Sequence, residues 1–233
     1  MYAIHNYSPT ARNLSEFFLL NFIPLIVFLK DGEHLGIYID ASNPNLFFKL
    51  ETNSSGQFRA MLLPQDFESD SLKISGQCRV NKYSLGNPDP YISLIELTDQ
   101  DVSEICSKVL KLSYQTEAKV IVDSVKKIAL LVCKIPKLKS EKFESKEDLS
   151  LDAYLAKRKT FLAGMPPEIT KINTRKIQFA CNCSREQFLP SLKKIYQLDG
   201  DALFKEPLIT ITCDYCKSIY SFSRQDLASF ELH

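Results

Sequence analysis

A chain of 233 residues, 45% apolar and 24% charged, has room for one sizeable domain and a small second one, with enough apolar residues to build a core. Lysine and arginine number 29 against 28 acidic residues, which excludes the basic surplus that draws a protein to nucleic acid or anionic lipid. There are seven cysteines, an odd number, and four of them sit in close pairs. This suits a reducing, cytoplasmic setting better than a secreted disulfide scaffold.

Residues 1–10 are polar and carry no element signal. A helix is predicted from Ala11, with Asn13 or Ser15 as cap and Glu16 in its first turn. The most apolar run, 17–29, has 13 residues interrupted by Asn21 and Pro24. It is too short to span a bilayer, and no small-x-small cleavage site follows before Lys30-Asp31. It reads as a buried core helix that Pro24 kinks or ends, with a signal-like segment as the weaker alternative.

Runs at 35–40, 46–51 and 57–63, separated by Asn43-Pro44 and by a turn at 53–56, have the spacing of antiparallel strands. The runs 72–80 and 91–97 extend the series across Gly86-Asn87-Pro88. Asp99 is the expected cap of a helix whose face carries Val102, Ile105, Cys106, Val109 and Leu110. Two β-rich runs follow at 118–122 and 128–135. The expected fold class is therefore α+β, with a mostly antiparallel sheet and helices in an N-terminal domain, residues 1–136.

Composition changes after Pro136. Half of the 24 residues from 137 to 160 are charged, with both signs interleaved, and residues 137–173 read as a charged linker. Within it, Ser150 caps a short amphipathic helix carrying Leu151, Tyr154, Leu155 and Leu162, ended by Gly164 and Met165-Pro166-Pro167. Residues 174–233 form a small third region with eight basic and seven acidic residues from Arg175 onward. A strand at 176–180 leads to Cys181-Asn182-Cys183, and a helix follows from Ser184 to about Tyr196 with Gln187 at the capping-box position. Strands at 208–212 and 219–222 flank Cys213-Asp214-Tyr215-Cys216 as a hairpin.

A CxC and a CxxC with 29 residues between them supply four thiols in two close pairs, the ligand set of a tetrahedral Zn²⁺ site. Unlinked buried thiols would not carry polar or turn-forming neighbours at both pairs. A thioredoxin-type pair would open a long helix, whereas this CxxC lies in a hairpin. Cys78, Cys106 and Cys133 lie on apolar faces and read as core. There is no Gly-x-Gly-x-x-Gly, P-loop or Gly-x-Ser-x-Gly, and His5, His34 and His233 are scattered, so nothing indicates an enzyme.

About 60 residues is a small span to stand without a staple, and thiolate zinc supplies roughly 10–16 kcal/mol to finger-type peptides. Disulfides within each pair would close very short loops and constrain the chain little. Oxidation would therefore unfold this region and not re-staple it, which is the logic of a thiol switch.

The sequence Phe179-Ala180-Cys181-Asn182-Cys183-Ser184-Arg185-Glu186, together with Cys213-Asp214-Tyr215-Cys216-Lys217-Ser218-Ile219-Tyr220-Ser221-Phe222 and then Asp226-Leu227, resembles the redox-switch domain of the thirty-three-kilodalton chaperonins, the redox-regulated bacterial heat-shock holdases. The specific match covers 176–227. A fainter likeness covers 29–59, where Gly56-Gln57-Phe58-Arg59 is similar to the family's Gly-x-x-Arg turn, and extends from Pro90-Tyr91-Ile92 to Gln115.

The resemblance implies an inactive reduced form in which Cys181, Cys183, Cys213 and Cys216 hold Zn²⁺. It implies that oxidation forms a disulfide within each pair, releases the metal, unfolds the linker and exposes a surface for unfolding client proteins, without ATP and usually in a homodimer. The chain departs from the family by its shorter length, by the expected lack of the family's first strand and part of its first helices, by a compressed linker, and by Ser113-Tyr114-Gln115 where Ser-Glu-Gln is common. The alternative reading is a purely structural zinc site beside a core that binds a protein or RNA partner. A thiol oxidoreductase ranks third.

Overall fold

The computed structural model describes residues 4–69, 73–87, 89–123, 125–134 and 174–228. They fall into two compact units, Asn6–Gln178 and, separately, Phe179–His233 with Met1–His5. The expected charged linker at 137–173, with its helix, lies outside the described residues.

The larger unit begins its first helix earlier than the sequence suggests. Helix α1 spans Pro9–Phe22, and Ser8 is its cap, with Oγ accepting from the Ala11 N–H at 3.0 Å. Pro9 occupies the first turn, where a missing N–H leaves no bond unmade. This corrects the reading of 1–10 as featureless and of Asn13 or Ser15 as caps, because both already lie inside the helix. Ala11, Leu14, Phe18 and Phe22 recur at helical spacing on the buried face. A 3₁₀ helix, Ile23–Phe28, continues the path with Pro24 in its first turn. The stretch Pro9–Phe28 is long and apolar enough to cross a membrane by length and composition, more than the 13-residue apolar run implies. Its Phe18, Phe22 and Leu25 are nevertheless fully buried inside the fold, as in a core helix.

Strands β1 (His34–Asn43), β2 (Asn45–Asn53), β3 (Gln57–Leu63), β4 (Lys73–Tyr83) and β5 (Tyr91–Asp101) form most of a six-stranded sheet with the order β5-β4-β1-β2-β3-β8, where β8 is Gln178–Phe179. The four pairings β1–β2, β1–β4, β2–β3 and β4–β5 are antiparallel; the expected runs 35–40, 46–51, 57–63 and 91–97 fall inside these strands, and the run 72–80 does so from Lys73 onward, residue 72 lying outside the described ones. Strand β2 alternates regularly between buried and half-exposed residues, while five consecutive buried residues mark β1 as central. The β1–β2 hairpin turns through the cis peptide Asn43-Pro44.

Gly56 has φ +86°, and a Cβ there would lie 2.0 Å from the Lys176 carbonyl oxygen. Only glycine lets the turn after β2 approach residues 176–178, where the Gln178 N–H donates to Gly56 O at 2.9 Å. Arg175 Nη1 adds a bond to Ser54 O at 2.8 Å.

Asp99 does not cap a helix. Strand β5 runs on to Asp101, and it is the Asp101 carboxylate, two residues later, that closes the turn by accepting from the Ser103 N–H and hydroxyl at 2.8 and 2.6 Å. Helix α2 is Ile105–Leu112, and the expected Ile105, Cys106, Val109 and Leu110 are buried. Strands β6 (Ala118–Asp123) and β7 (Ile128–Cys133) pair with each other as a separate two-stranded sheet. The whole is α+β and mostly antiparallel, as expected.

One sheet face packs on α1, where the Phe18 and Phe48 rings meet at 4.9 Å. On the opposite face Tyr38 is flanked by Lys49 and Arg79, and its hydroxyl donates to Glu51 Oε1 at 3.1 Å. Arg59 Nε, from the Gly-x-x-Arg turn, donates to Glu51 Oε2 at 2.7 Å. Burial alone would raise the Glu51 pKa, but Arg59 and then Lys49 outweigh it and hold the carboxyl below its ordinary value. Cys78 and Cys106 are fully buried, and burial pushes both thiols up, Cys78 to about 12. Cys133, expected in the core, is only half-buried.

Phe18→Ala empties a site with no solvent access between α1 and the sheet. A loss of ~3–5 kcal/mol in urea unfolding of the larger unit, followed by amide exchange in β2, is expected. A loss below ~1 kcal/mol would contradict this account of the core.

Candidate metal centre

The smaller unit carries helix α3 (Arg185–Asp199), the hairpin β9 (Leu208–Thr212) and β10 (Ile219–Ser223), and helix α4 (Arg224–Ala228). The hairpin register pairs Ile219 with Thr212 and Phe222 with Ile209, which puts Ile209, Ile211, Tyr220 and Phe222 on the face that packs toward α3. The buried cluster has four members, Leu192, Phe204, Phe222 and Leu227, with half-buried Phe188, Leu189 and Tyr196 around them. Ser184 is the residue before α3 as expected, but its hydroxyl makes no cap bond, so the expected capping box is not formed there. A box forms instead at α4. The Ser223 N–H and Oγ donate to Asp226 Oδ2 at 2.7 and 2.8 Å, and the Asp226 N–H returns a longer bond to Ser223 Oγ at 3.4 Å.

The hairpin delivers the CxxC at its turn. The Cys213 N–H donates to Ser218 O at 2.9 Å and the Lys217 N–H to Cys213 O at 2.8 Å, with Lys217 itself in the left-handed region at φ +59°. Cys181-Asn182-Cys183, just before α3, comes to meet it. Cys181 Sγ lies 3.7 Å from Cys213 Sγ, and Cys183 Sγ lies 3.2 Å from Cys216 Sγ. All four sulfurs lie within 4.8 Å of one another. A tetrahedral ion with metal–sulfur bonds of about 2.3 Å separates its sulfurs by about 3.8 Å, so the four thiols present match a tetrathiolate zinc site in number, chemistry and spacing.

Burial raises the Cys213 thiol and takes Cys183 up to about 12, although the Tyr220 hydroxyl beside Cys183 pulls the other way. Cys216 falls to about 6 because the Ser218 hydroxyl and backbone, followed by Cys183 and Cys213, outweigh its own desolvation. Close sulfurs thus share protons unequally, as expected where several thiolates crowd one another.

Three supports were not legible in the sequence. Tyr220 donates to Cys183 O at 2.9 Å, lies 3.2 Å from Cys183 Sγ and packs its ring on Phe188. Strand alternation marks it as inward but not as a neighbour of the CxC. Arg185 Nη2 meets Asp226 Oδ2 at 2.7 Å and its guanidinium covers the Phe222 ring. His5, which belongs to this unit, reaches the CxxC across 210 residues, and no local signal could place it.

A sheet-based α+β unit and a separate small unit built on a cluster of four thiols define a protein with a thiol-ligand module. The chain belongs to the Hsp33 family, whose profile, described as Hsp33 protein, matches residues 1–223. The family is one of chaperones and not of enzymes. Similar proteins include the 33 kDa chaperonin of Thermosipho melanesiensis, 24% identical over 96% of this chain and 87% of that one. The 33 kDa chaperonin of Prochlorococcus marinus is 23% identical over 85% of this chain and 75% of that one. The crystal structure of the Hsp33 homologue from Thermotoga maritima has the same fold, with a TM-score of 0.65, 17% identity, and coverage of 97% of this chain and 86% of that one.

The Asp226 carboxyl is held near 2, first by the Arg185 hydrogen bond and then by the Ser223 backbone and hydroxyl. Its folded pKa lies below the unfolded value of about 3.9, so this bonding stabilises the small unit above about pH 4 and is lost as pH falls from there toward about 2. Asp226→Asn should lower the melting temperature of this unit at pH 7, and the gap to wild type should close on acidification through that window. A gap that stays constant with pH would refute the role given to the ion pair.

Proposed function

We propose that this chain is a redox-regulated, ATP-independent holdase chaperone. Cys181, Cys183, Cys213 and Cys216 would hold Zn²⁺ when reduced, and the ion would supply the crosslink on which the small unit's fold depends. On oxidation, two electrons leave each pair, Cys181 with Cys183 and Cys213 with Cys216, and an S–S bond in each replaces the metal–sulfur bonds. The switch region 174–233 then loses its crosslink, the linker 137–173 loosens with it, and the 1–136 core offers a surface to unfolding proteins, as a homodimer in the cytoplasm. The single observation that supports this most is the convergence of four sulfurs within 4.8 Å in a unit whose buried apolar cluster, among the described residues, is Leu192, Phe204, Phe222 and Leu227. Apolar burial of that extent leaves a fold of this size marginal. Membership of the Hsp33 family and relatives named chaperonins supply the output.

Zinc-loaded protein exposed to hypochlorite, or to peroxide at raised temperature, should release about one zinc per chain. It should also lose ordered structure in 174–228 and begin to suppress aggregation of a denatured client. Zinc retained under oxidant, or released with no gain in aggregation suppression, would overturn the switch and favour a purely structural metal. Light scattering on the oxidised form tests the dimer.

A further inference from the structure

One carbonyl of the CxxC turn is bonded from far along the chain. Cys213 O accepts from Lys217 and Ser218 O accepts from Cys213, and the Tyr215 carbonyl lies within the turn, between the end of β9 at Thr212 and the start of β10 at Ile219. Tyr215 is 6% exposed, so water cannot freely serve that oxygen, and a buried carbonyl needs a donor. The donor is His5, itself 5% exposed, with Nε2 at 2.9 Å from Tyr215 O. A carbonyl only accepts, so Nε2 carries the proton. Burial lowers the His5 pKa, against the opposing pull of the Tyr215 hydrogen bond.

The Tyr215 carbonyl and the Cys216 N–H are two ends of one peptide plane. Fixing the oxygen fixes the plane, and the plane sets where the Cα of Cys216 starts its side chain. Cys216 lies 3.2 Å from Cys183 and carries the Ser218 contact, so a rotation of that plane moves one of the four sulfurs relative to the other three.

We infer that His5 is a positioning residue of the thiol cluster: by donating to Tyr215 O it holds the second cysteine of the CxxC in ligating geometry, and the segment carrying it is a working part of the metal site. The inference rests on the zinc reading above. Groups that orient a ligand from outside the coordination sphere are worth roughly 10–100-fold in metal affinity. Coupling is reciprocal, so zinc must hold the His5 segment down by the same factor by which His5 tightens zinc.

The test compares the full chain with His5→Ala and His5→Gln, using zinc itself and a competing chelator, alongside amide exchange at Cys213, Lys217 and residues 5–6. His5→Ala should weaken zinc by about tenfold, and His5→Gln, whose amide keeps an N–H donor, should recover most of that. In wild type, adding zinc should slow exchange at residues 5–6. An affinity for His5→Ala within about twofold of wild type overturns the inference, as does equal weakening by both variants, which would mean that ring packing and not the hydrogen bond matters. If wild type binds no zinc, the zinc reading falls. The exchange rates at Cys213 and Lys217 then decide this proposal alone, and rates unchanged by His5→Ala overturn it.

Discussion

The small unit depends on one constraint, that four sulfurs from two segments must meet in a space a few ångströms across. Everything local serves that meeting. Antiparallel pairing of β9 with β10 makes the tight turn that presents Cys213 and Cys216, and α3 begins immediately after Cys183, so the helix packing against the hairpin brings the CxC with it. Tyr220 fastens the CxC backbone from the hairpin side, and Arg185 fastens the start of α3 to α4. These contacts act on backbone and charge. Among the described residues the apolar contribution centres on Leu192, Phe204, Phe222 and Leu227 with a half-buried rim.

The larger unit is organised on the opposite principle. Its sheet and α1 bury a continuous set of Phe, Leu and Ile side chains, several of them with no solvent access, and it needs no crosslink to account for its order. The polar network on the other face, centred on Tyr38 and Glu51, binds neighbouring strands to one another through Lys49, Arg59 and Arg79. One chain therefore contains a unit held by apolar area and a unit held by a few specific bonds. On the proposed redox reading, a chemical signal that acts on specific bonds reaches the second and spares the first.

The sequence revealed those features whose cause is local. The strands between 34 and 101 were legible because turn-forming Asn, Pro and Gly residues bracket alternating apolar runs, and the cysteine cluster was legible because ligand spacing is itself a local pattern. What escaped has non-local or competing causes. The true start of α1 needed Ser8 and Pro9 to be weighed above the more central Asn13 and Ser15. Asp99 offered the right residue type for a cap, but the strand pairing carried the chain on to Asp101. The strand expected at 176–180 is there as β8, but its place beside β3, the Arg185–Asp226 pair and the His5 contact each join positions that no window of sequence sees together.

The seven cysteines of this chain are chemically alike in sequence and become unlike in the fold. Cys78 and Cys106 are sealed behind the sheet and α2, where burial keeps their protons in place and leaves an oxidant neither a route nor an anion to attack. In the cluster Cys181, Cys183 and Cys216 are half-buried, and Cys213 is buried. A diffusible oxidant carries no address of its own, and depth withholds Cys78 and Cys106 from it. Under the proposed redox switch the hydrophobic core, usually credited only with stability, also acts as a filter that keeps Cys78 and Cys106 out of the signal.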